Sequence, residues 1–564
     1  YSALYITAAD SDTVTGSYMR NLAGYGASLV VGTDRNTINQ STMVAGNSSY
    51  AGLRLNSSKL NLVTDSYIQN LGNDGVVFET ASNDNVLSQS TVIVNGAGDL
   101  GLYLQGSDTN TVTGCYIQNL TGDGAYVDST ANDNLISGSV MVSGGASYAA
   151  LQLNGADRTT VADSTMRNTA GYGAYILTTA NSNTIIRSTV TSFATTANRY
   201  GLYILSSSSN TILDSYIQGS TAAVVDDSTG THLGGTVMVA PDTTGRGLAL
   251  LAGSVNLSVT SSTLRGGTLG AGFTLRYGNA GLITLTTVTV TGGRWGLELS
   301  SMTCGGTCSG NLSISSLTFV GPLTAGATGI NFLAGTYVST FSYVGFNDSS
   351  LGKNVNGTSL GGSSAISMVA DGGIKTGSAF ETDPGSVVDW LWEDPACTVI
   401  KSVHSSDGGP YPTIMGAVGD LPTSLTGNAC VIIRDAGTYA EQVTVAGFTN
   451  NNYTITIKAD PGTGVRPTVS PPPASTAGFL INNASVTVQG ISVVASQDVP
   501  YGIWASQPYV TLSSISVSTS GALGINTAGV RLSSWSAVSY STVAVWNAHG
   551  IWLDGSTRTA VSFS

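Results

Sequence analysis

Asp226 and Asp227 are the one adjacent pair of acids in the regular part of this sequence. Two carboxylates close together are what glycoside hydrolysis uses, one as acid and one as base or nucleophile. Neighbours on a strand point to opposite faces, so only one of the pair would reach a given groove. His232, His404 and His549 are far apart and form neither a triad nor a metal motif. Asp34, Asp84, Asp108, Asp133 and Asp157 recur at one kind of corner. Calcium would need such a row of carboxylates, but Asp is also a turn former that bonds its own backbone. A corner role is therefore expected and no cofactor, with calcium the only cation the row would suit. Cys115 falls at an inward, small-residue position and reads as a buried free thiol. Cys304 and Cys308 are spaced too widely for a Cys-x-x-Cys redox or zinc site. Disulfides Cys304–Cys308 and Cys397–Cys430 are both open to the sequence, and two bridges would indicate an oxidising, extracellular compartment.

The more suggestive chemistry faces outward. Tyr5, Tyr103, Tyr126, Tyr175 and Tyr203 share one outward column, while Tyr18, Tyr67, Tyr116 and Tyr216 alternate with Thr42, Thr91 and Thr189 on another. Cross-strand stacking along a sheet accounts for such columns. So does a contact surface, because Tyr supplies rigid area that packs on a sugar ring or a neighbouring fibre.

What positions these residues is a repeat. The small residue opening each apolar pair stands at Ala3, Gly26, Gly52, Gly75, Gly101, Gly124, Ala150 and Gly173, in steps that alternate between 23 and 26. Ser17, Ser66, Cys115 and Ser164 are each 49 apart, as are Ser41, Ser90, Ser139 and Ser188. A period in this range means stacked supersecondary units, here a pair of coils. Within each coil the period is two, which means strand. Leu102 and Leu104 point inward with Tyr103 between them, and Ile117 marks the inward residue of a third short strand. Three strands per coil make a triangular solenoid.

The Asn residues Asn36, Asn61, Asn85, Asn110, Asn134, Asn183 and Asn210 each stand five before the small residue of the third strand. With this column the chain resembles the right-handed parallel β-helices of pectate lyases, phage tailspikes and large bacterial surface proteins. The resemblance implies an all-β fold in which each Asn turns inward at a corner and bonds up and down the stack. It implies no single activity, because the architecture hosts enzymes, adhesins and inert fibres alike. Pectate lyases set calcium-binding carboxylates beside an Arg base, and tailspike glycosidases set carboxylates across a groove. In this sequence the acids read as spread over corners, with no cluster on one face.

Charged residues are only 9% of the 564 and the net charge is −13, which argues against a nucleic-acid partner. No apolar run reaches membrane-spanning length. The chain opens in mid-coil and reads as a piece of a longer polypeptide. Regular coils cover 1–340, and 341–397 reads as a closing cap and linker. A second β-helix occupies 398–564, where Pro412–Val418 would form a capping helical turn and Gly437-Thr438-Tyr439-Ala440-Glu441 resembles the opening of methylesterase-like β-helices. The expected function is structural and extracellular: a stiff rod, fibre or adhesive cell-surface layer that associates with itself, with further domains, or with glycans. The alternative is a carbohydrate-active enzyme or tailspike.

Overall fold

The computed structural model describes residues 1–195, 198–251, 253–276, 282–302, 309–320, 326–335, 337–346, 351–358, 360, 364–370, 381–382, 388–391, 397–405, 411–460, 466–520 and 524–562. Cys304 and Cys308 lie outside them. The chain divides into two compact units. The first comprises Tyr1–Thr340, Asn347–Gly352 and Ser359–Ser364; the second comprises Phe341–Phe346, Lys353–Thr358 and Ala365–Ser564.

In the first unit thirteen described coils each contribute one strand to each of three parallel sheets. One coil serves for all: Leu100–Gln105, Thr111–Thr113 and Tyr116–Asn119. Leu102 stacks between Val76 and Ala125, and Leu104 between Phe78 and Val127. Val112 lies between Leu87 and Ile136, and Ile117 between Val92 and Met141. All of them are fully buried, each large side chain contributing roughly 1.5–3 kcal/mol. The Gly that opens the first strand is there for want of room. A Cβ on Gly101 would stand 2.3 Å from the carbonyl oxygen of Gly124 and 2.6 Å from Cγ2 of Ile117.

Backbone amides that the strands leave unpaired at the corners are taken by side-chain ladders. Oδ1 of Asn61 accepts from the backbone N–H of Asn36 at 2.9 Å and from its Nδ2 at 3.1 Å. Asn85 accepts from Asn61, and Asn110 from Asn85, in the same way. Asn134 and Asn210 receive the N–H of Asn110 and Asn183. The column has one gap, at Thr159, whose N–H still reaches Asn183 at 2.8 Å. The residue before each Asn turns the corner in the left-handed region, as at Asp84 (φ 60°) and Asp133 (φ 57°). Ser residues form a second ladder, Ser66 N–H to Ser90 Oγ and Ser139 N–H to Ser164 Oγ. Cys115 sits in this ladder, buried and free, and burial pushes its thiol up to about 11.

The corner acids do structural work. Asp34, Asp108 and Asp157 accept the N–H of Lys59, Asn132 and Asn181 in the next coil at 2.7–2.8 Å, and Asp133 pairs with Arg158 at 2.7 Å. Among the described residues no three His, Cys, Asp or Glu come together as a metal site.

The alternation of short and long coils arises mainly at the corner after the third sheet, which accounts for two of the three residues of difference. Asn70, Asn119 and Asn168 each donate Nδ2 to the corner carbonyl of Tyr50, Asp99 or Tyr148 at 2.6–2.8 Å. The alternate coils put Val94, Ser143 and Ser192 in register with them and take a longer loop instead.

In the second unit Val355 pairs with Glu381 and Ile366 with Val388, both in parallel. A further β-helix runs from Val399 in one sheet of seven strands and two of five. Cys397 and Cys430 are joined by a disulfide. The helix Ile414–Gly419 is capped by Thr413, which accepts from Gly416. The carboxylate of Glu441 takes the N–H groups of Ile414 and Met415 at 2.7 and 3.0 Å. That contact is the reason for a Glu after the Gly-x-Tyr turn, and Tyr439 Oη donates to Asp435 at 2.6 Å. The buried His404 lies 3.6 Å from the same carboxylate.

Candidate ligand-binding face

The first sheet of the first unit carries its outward side chains in one register. Tyr103 pairs with Tyr126, Tyr126 with Gln152, Gln152 with Tyr175, Tyr175 with Tyr203 and Tyr203 with Val224. Tyr175 and Tyr203 stack with centroids 5.0 Å apart and planes 8° apart. Tyr172 stacks on Tyr203 at 5.9 Å, and Tyr200 meets Tyr203 edge-on at 5.1 Å. The guanidinium of Arg199 lies 5.2 Å over Tyr172, and Tyr203 Oη donates to Asp226 at 3.0 Å. Burial and the Asp226 carboxylate hold the Tyr203 hydroxyl well above its ordinary range, so it stays a donor. Earlier on the face Tyr103 and Tyr126 meet edge-to-face at 5.5 Å, and Tyr103 donates to Asp128 at 3.2 Å.

Charge gathers on this face as well, which corrects the expectation that acids are spread over corners alone. Arg246 lies 3.7 Å and Arg276 3.9 Å from Glu298, whose side chain is 6% exposed. Thr274 bridges the two, accepting from Arg246 Nε and donating to Glu298 Oε2, each at 3.1 Å. Burial and the nearby Arg276 lower the Arg246 guanidinium from its usual range. At the other end Arg54 pairs with Glu79, and Asn56 donates to Glu79 at 2.8 Å. A groove of about 680 Å³ opens there between Tyr5, Tyr25, Ser28, Arg54 and Asn56. Opposite charges meet here because the outward position of the coil recurs every 21–28 residues between Tyr5 and Glu298, a spacing that a count of neighbours along the chain hides.

Of the paired acids, Asp226 reaches this face, whereas Asp227 sits at the corner with φ 45° and accepts from Ser206. Tyr18, Tyr67, Tyr116 and Tyr216 lie on the outer face of the third sheet, 37–69% exposed. Intervening Thr42 and Thr91 keep the first three apart in the ladder. Tyr5 is 60% exposed. Tyr25, Arg54, Glu79, Tyr172, Tyr200, Arg246, Arg276 and Glu298 were not among the sequence candidates. Their signal is positional: Arg54 and Glu298 stand two after the coil Gly, as Tyr103 does, and Tyr25, Tyr172, Tyr200 and Arg246 stand just before it.

Asp74 and Asp123 are pushed up to about 6, chiefly by burial, although each accepts a backbone N–H, from Leu100 or Ala149. A carboxylate raised above its unfolded value of about 4 is neutral in both states below pH 4. Above pH 6 it is charged in both and carries its desolvation cost only when folded. Its contribution to stability is therefore lost as pH rises from 4 to 6. Asp123→Asn keeps the acceptor for Ala149 and is expected to raise stability at pH 7 by up to about 3 kcal/mol, with no gain at pH 4. Chemical denaturation at the two pH values checks this.

The fold and this face define a right-handed β-helix with an aromatic, polar outer surface. The model of the right handed β-helix region matches residues 2–150 and 149–313, and the chain belongs to that family. No curated protein matches it. Among solved structures it is similar to the Dettilon tailspike protein at 12% identity over 55% of this chain and 62% of that one, TM-score 0.31. It thus spans less than two thirds of that tailspike. The PL6 family alginate lyase AlyGC aligns at 9% identity over 99% of this chain and 86% of its own, TM-score 0.19. A mutant tailspike of E. coli bacteriophage HK620, in complex with a hexasaccharide, aligns at 10% identity over 92% and 71%, TM-score 0.13.

Proposed function

We propose that this chain is an extracellular, adhesive β-helix that holds a polysaccharide on the outer face of its first sheet. The observation that carries the reading is the platform of Tyr172, Tyr175, Tyr200 and Tyr203, edged by Asp226 and Arg199. Stacked phenols offer the apolar face of a pyranose a rigid surface with little entropy to lose. The carboxylate and guanidinium at their edge meet its hydroxyls. Continuous parallel ladders and the Asn column give the platform a stiff base. A disulfide between Cys397 and Cys430 suits an oxidising compartment outside the cell. No described helix is long and apolar enough to cross a membrane. Self-association through the Tyr column of the third sheet belongs to the same proposal.

Tyr175→Ala with Tyr203→Ala is expected to leave the melting profile nearly unchanged and to weaken retardation in polysaccharide-containing gels at least tenfold. That corresponds to about 1.4 kcal/mol, within the range of two lost aromatic contacts. Unchanged retardation would remove the platform from the reading. A second reading, cleavage of the bound polymer, is favoured by Glu298 held between Arg246 and Arg276 on the same face. Release of shorter chains from a polysaccharide that the protein retards, lost in Glu298→Gln, would decide for it.

A further inference from the structure

One constellation occurs twice. In the first unit Arg54 stands two residues after a coil Gly, with its guanidinium 5.2 Å over the ring of Tyr25 from the coil before. It pairs with Glu79 from the coil after. In the second unit Arg531 stands two after Gly529. It lies 5.5 Å over Tyr501 from the coil before and pairs with Asp554 from the coil after. Its register neighbours in the sheet are Trp504 and Trp552, whose rings lie 5.2 and 4.6 Å from the guanidinium. Position, order along the ladder and residue chemistry agree, although the second unit lies beyond the residues the family model matches.

Each constellation is half-exposed. Side-chain exposure is 28% and 20% for Arg54 and Glu79, and 21% and 49% for Arg531 and Asp554. Arg54 uses Nε–H for Glu79, and Arg531 uses Nη1 for Tyr501 and Nη2 for Asp554. A guanidinium has five N–H donors in a fixed fork, and a carboxylate has about four acceptor sites. Both groups therefore keep capacity at the surface, side by side and next to an aromatic ring. A donor beside an acceptor matches two neighbouring hydroxyls of a sugar, one accepting from Arg and one donating to the acid, while the ring covers a C–H face. The carboxylate disfavours an anionic sugar.

We propose that Tyr25–Arg54–Glu79 and Tyr501–Arg531–Asp554 are two copies of one recognition site, each taking a neutral pyranose through a vicinal pair of hydroxyls. The proposal rests on the glycan-binding reading, yet the second copy has a signal of its own, since Trp504 and Trp552 flank it. The test titrates the full chain with maltohexaose, cellohexaose and mannohexaose, and with hexagalacturonate as the anionic counterpart, following tryptophan fluorescence. A saturable change with a neutral hexasaccharide is expected. Its midpoint should move at least tenfold in Arg531→Met and in the exposed-site variant Asp554→Asn, and stay put in Tyr175→Ala/Tyr203→Ala. Arg54→Met should leave the fluorescence titration intact and reduce the heat of binding measured by calorimetry. Unchanged titrations in both Arg531→Met and Asp554→Asn would overturn the second copy, as would no fluorescence change in a chain that polysaccharide gels still retard through Tyr175 and Tyr203. A response to hexagalacturonate alone would overturn the neutral-sugar assignment. Neither retardation nor fluorescence change would overturn this proposal and the glycan reading together.

Discussion

Ile117→Asp is expected to unfold the coils around it at neutral pH, at a cost of about 5 kcal/mol or more. Ile117 is fully buried and stacked between Val92 and Met141. Truncating such a side chain costs about 2–5 kcal/mol, and a carboxylate left without a partner in that column adds several more. A solenoid coil is held only by its two neighbours, so the loss is shared by the coils on either side. Calorimetry should show the main transition lowered or split, with part of the loss recovered near pH 4, where the introduced acid is neutral. An unchanged profile would mean that Ile117 does not face the core.

The second large effect is expected from Asn85→Leu, at about 3 kcal/mol. Asn85 receives the N–H and Nδ2 of Asn61, and its own Nδ2 reaches the carbonyl of Ser58 at 2.9 Å and Oδ1 of Asn110 at 3.3 Å. Leu has nearly the same shape and none of these bonds. It leaves a buried N–H and a buried carbonyl unpaired, each costing about 1–3 kcal/mol. In one coil Thr159 already stands in place of the Asn with its hydroxyl unpaired, so Asn85→Thr is expected to lose the same hydrogen bonds as Asn85→Leu. Denaturant unfolding of the three chains checks this, and an unchanged midpoint in Asn85→Leu would show that the ladder's hydrogen bonds do not set the corner.

The coil period, the inward residues, the Asn column and the corner role of the acids were all legible as spacing. A strand period of two and a coil period near two dozen repeat the same physical demand at every level, and the demand writes itself into residue type. Asn36, Asn61 and Asn85 recur because each buried corner amide needs an acceptor from the next coil. The reason for the 49-residue beat was less visible. It needed Asn70, Asn119 and Asn168 seen on the corner carbonyls that the short loops bring within reach.

The candidate site was only half legible. Tyr103, Tyr126, Tyr175 and Tyr203 announced themselves as a column of one residue type. Arg54, Glu79, Arg246, Arg276 and Glu298 did not, because none of them recurs at its position in the neighbouring coils and each lies 22 or more residues from its partner. By itself the sequence determined the fold and which side of each strand faces water, since burial and corner hydrogen bonding act coil by coil and leave a periodic record. Only the tertiary structure decided which outward residues meet. Contacts such as Glu298 with Arg246 and Arg276, or Arg531 with Tyr501 and Asp554, depend on register between coils of unequal length, and a single occurrence of a residue leaves no period from which to read it.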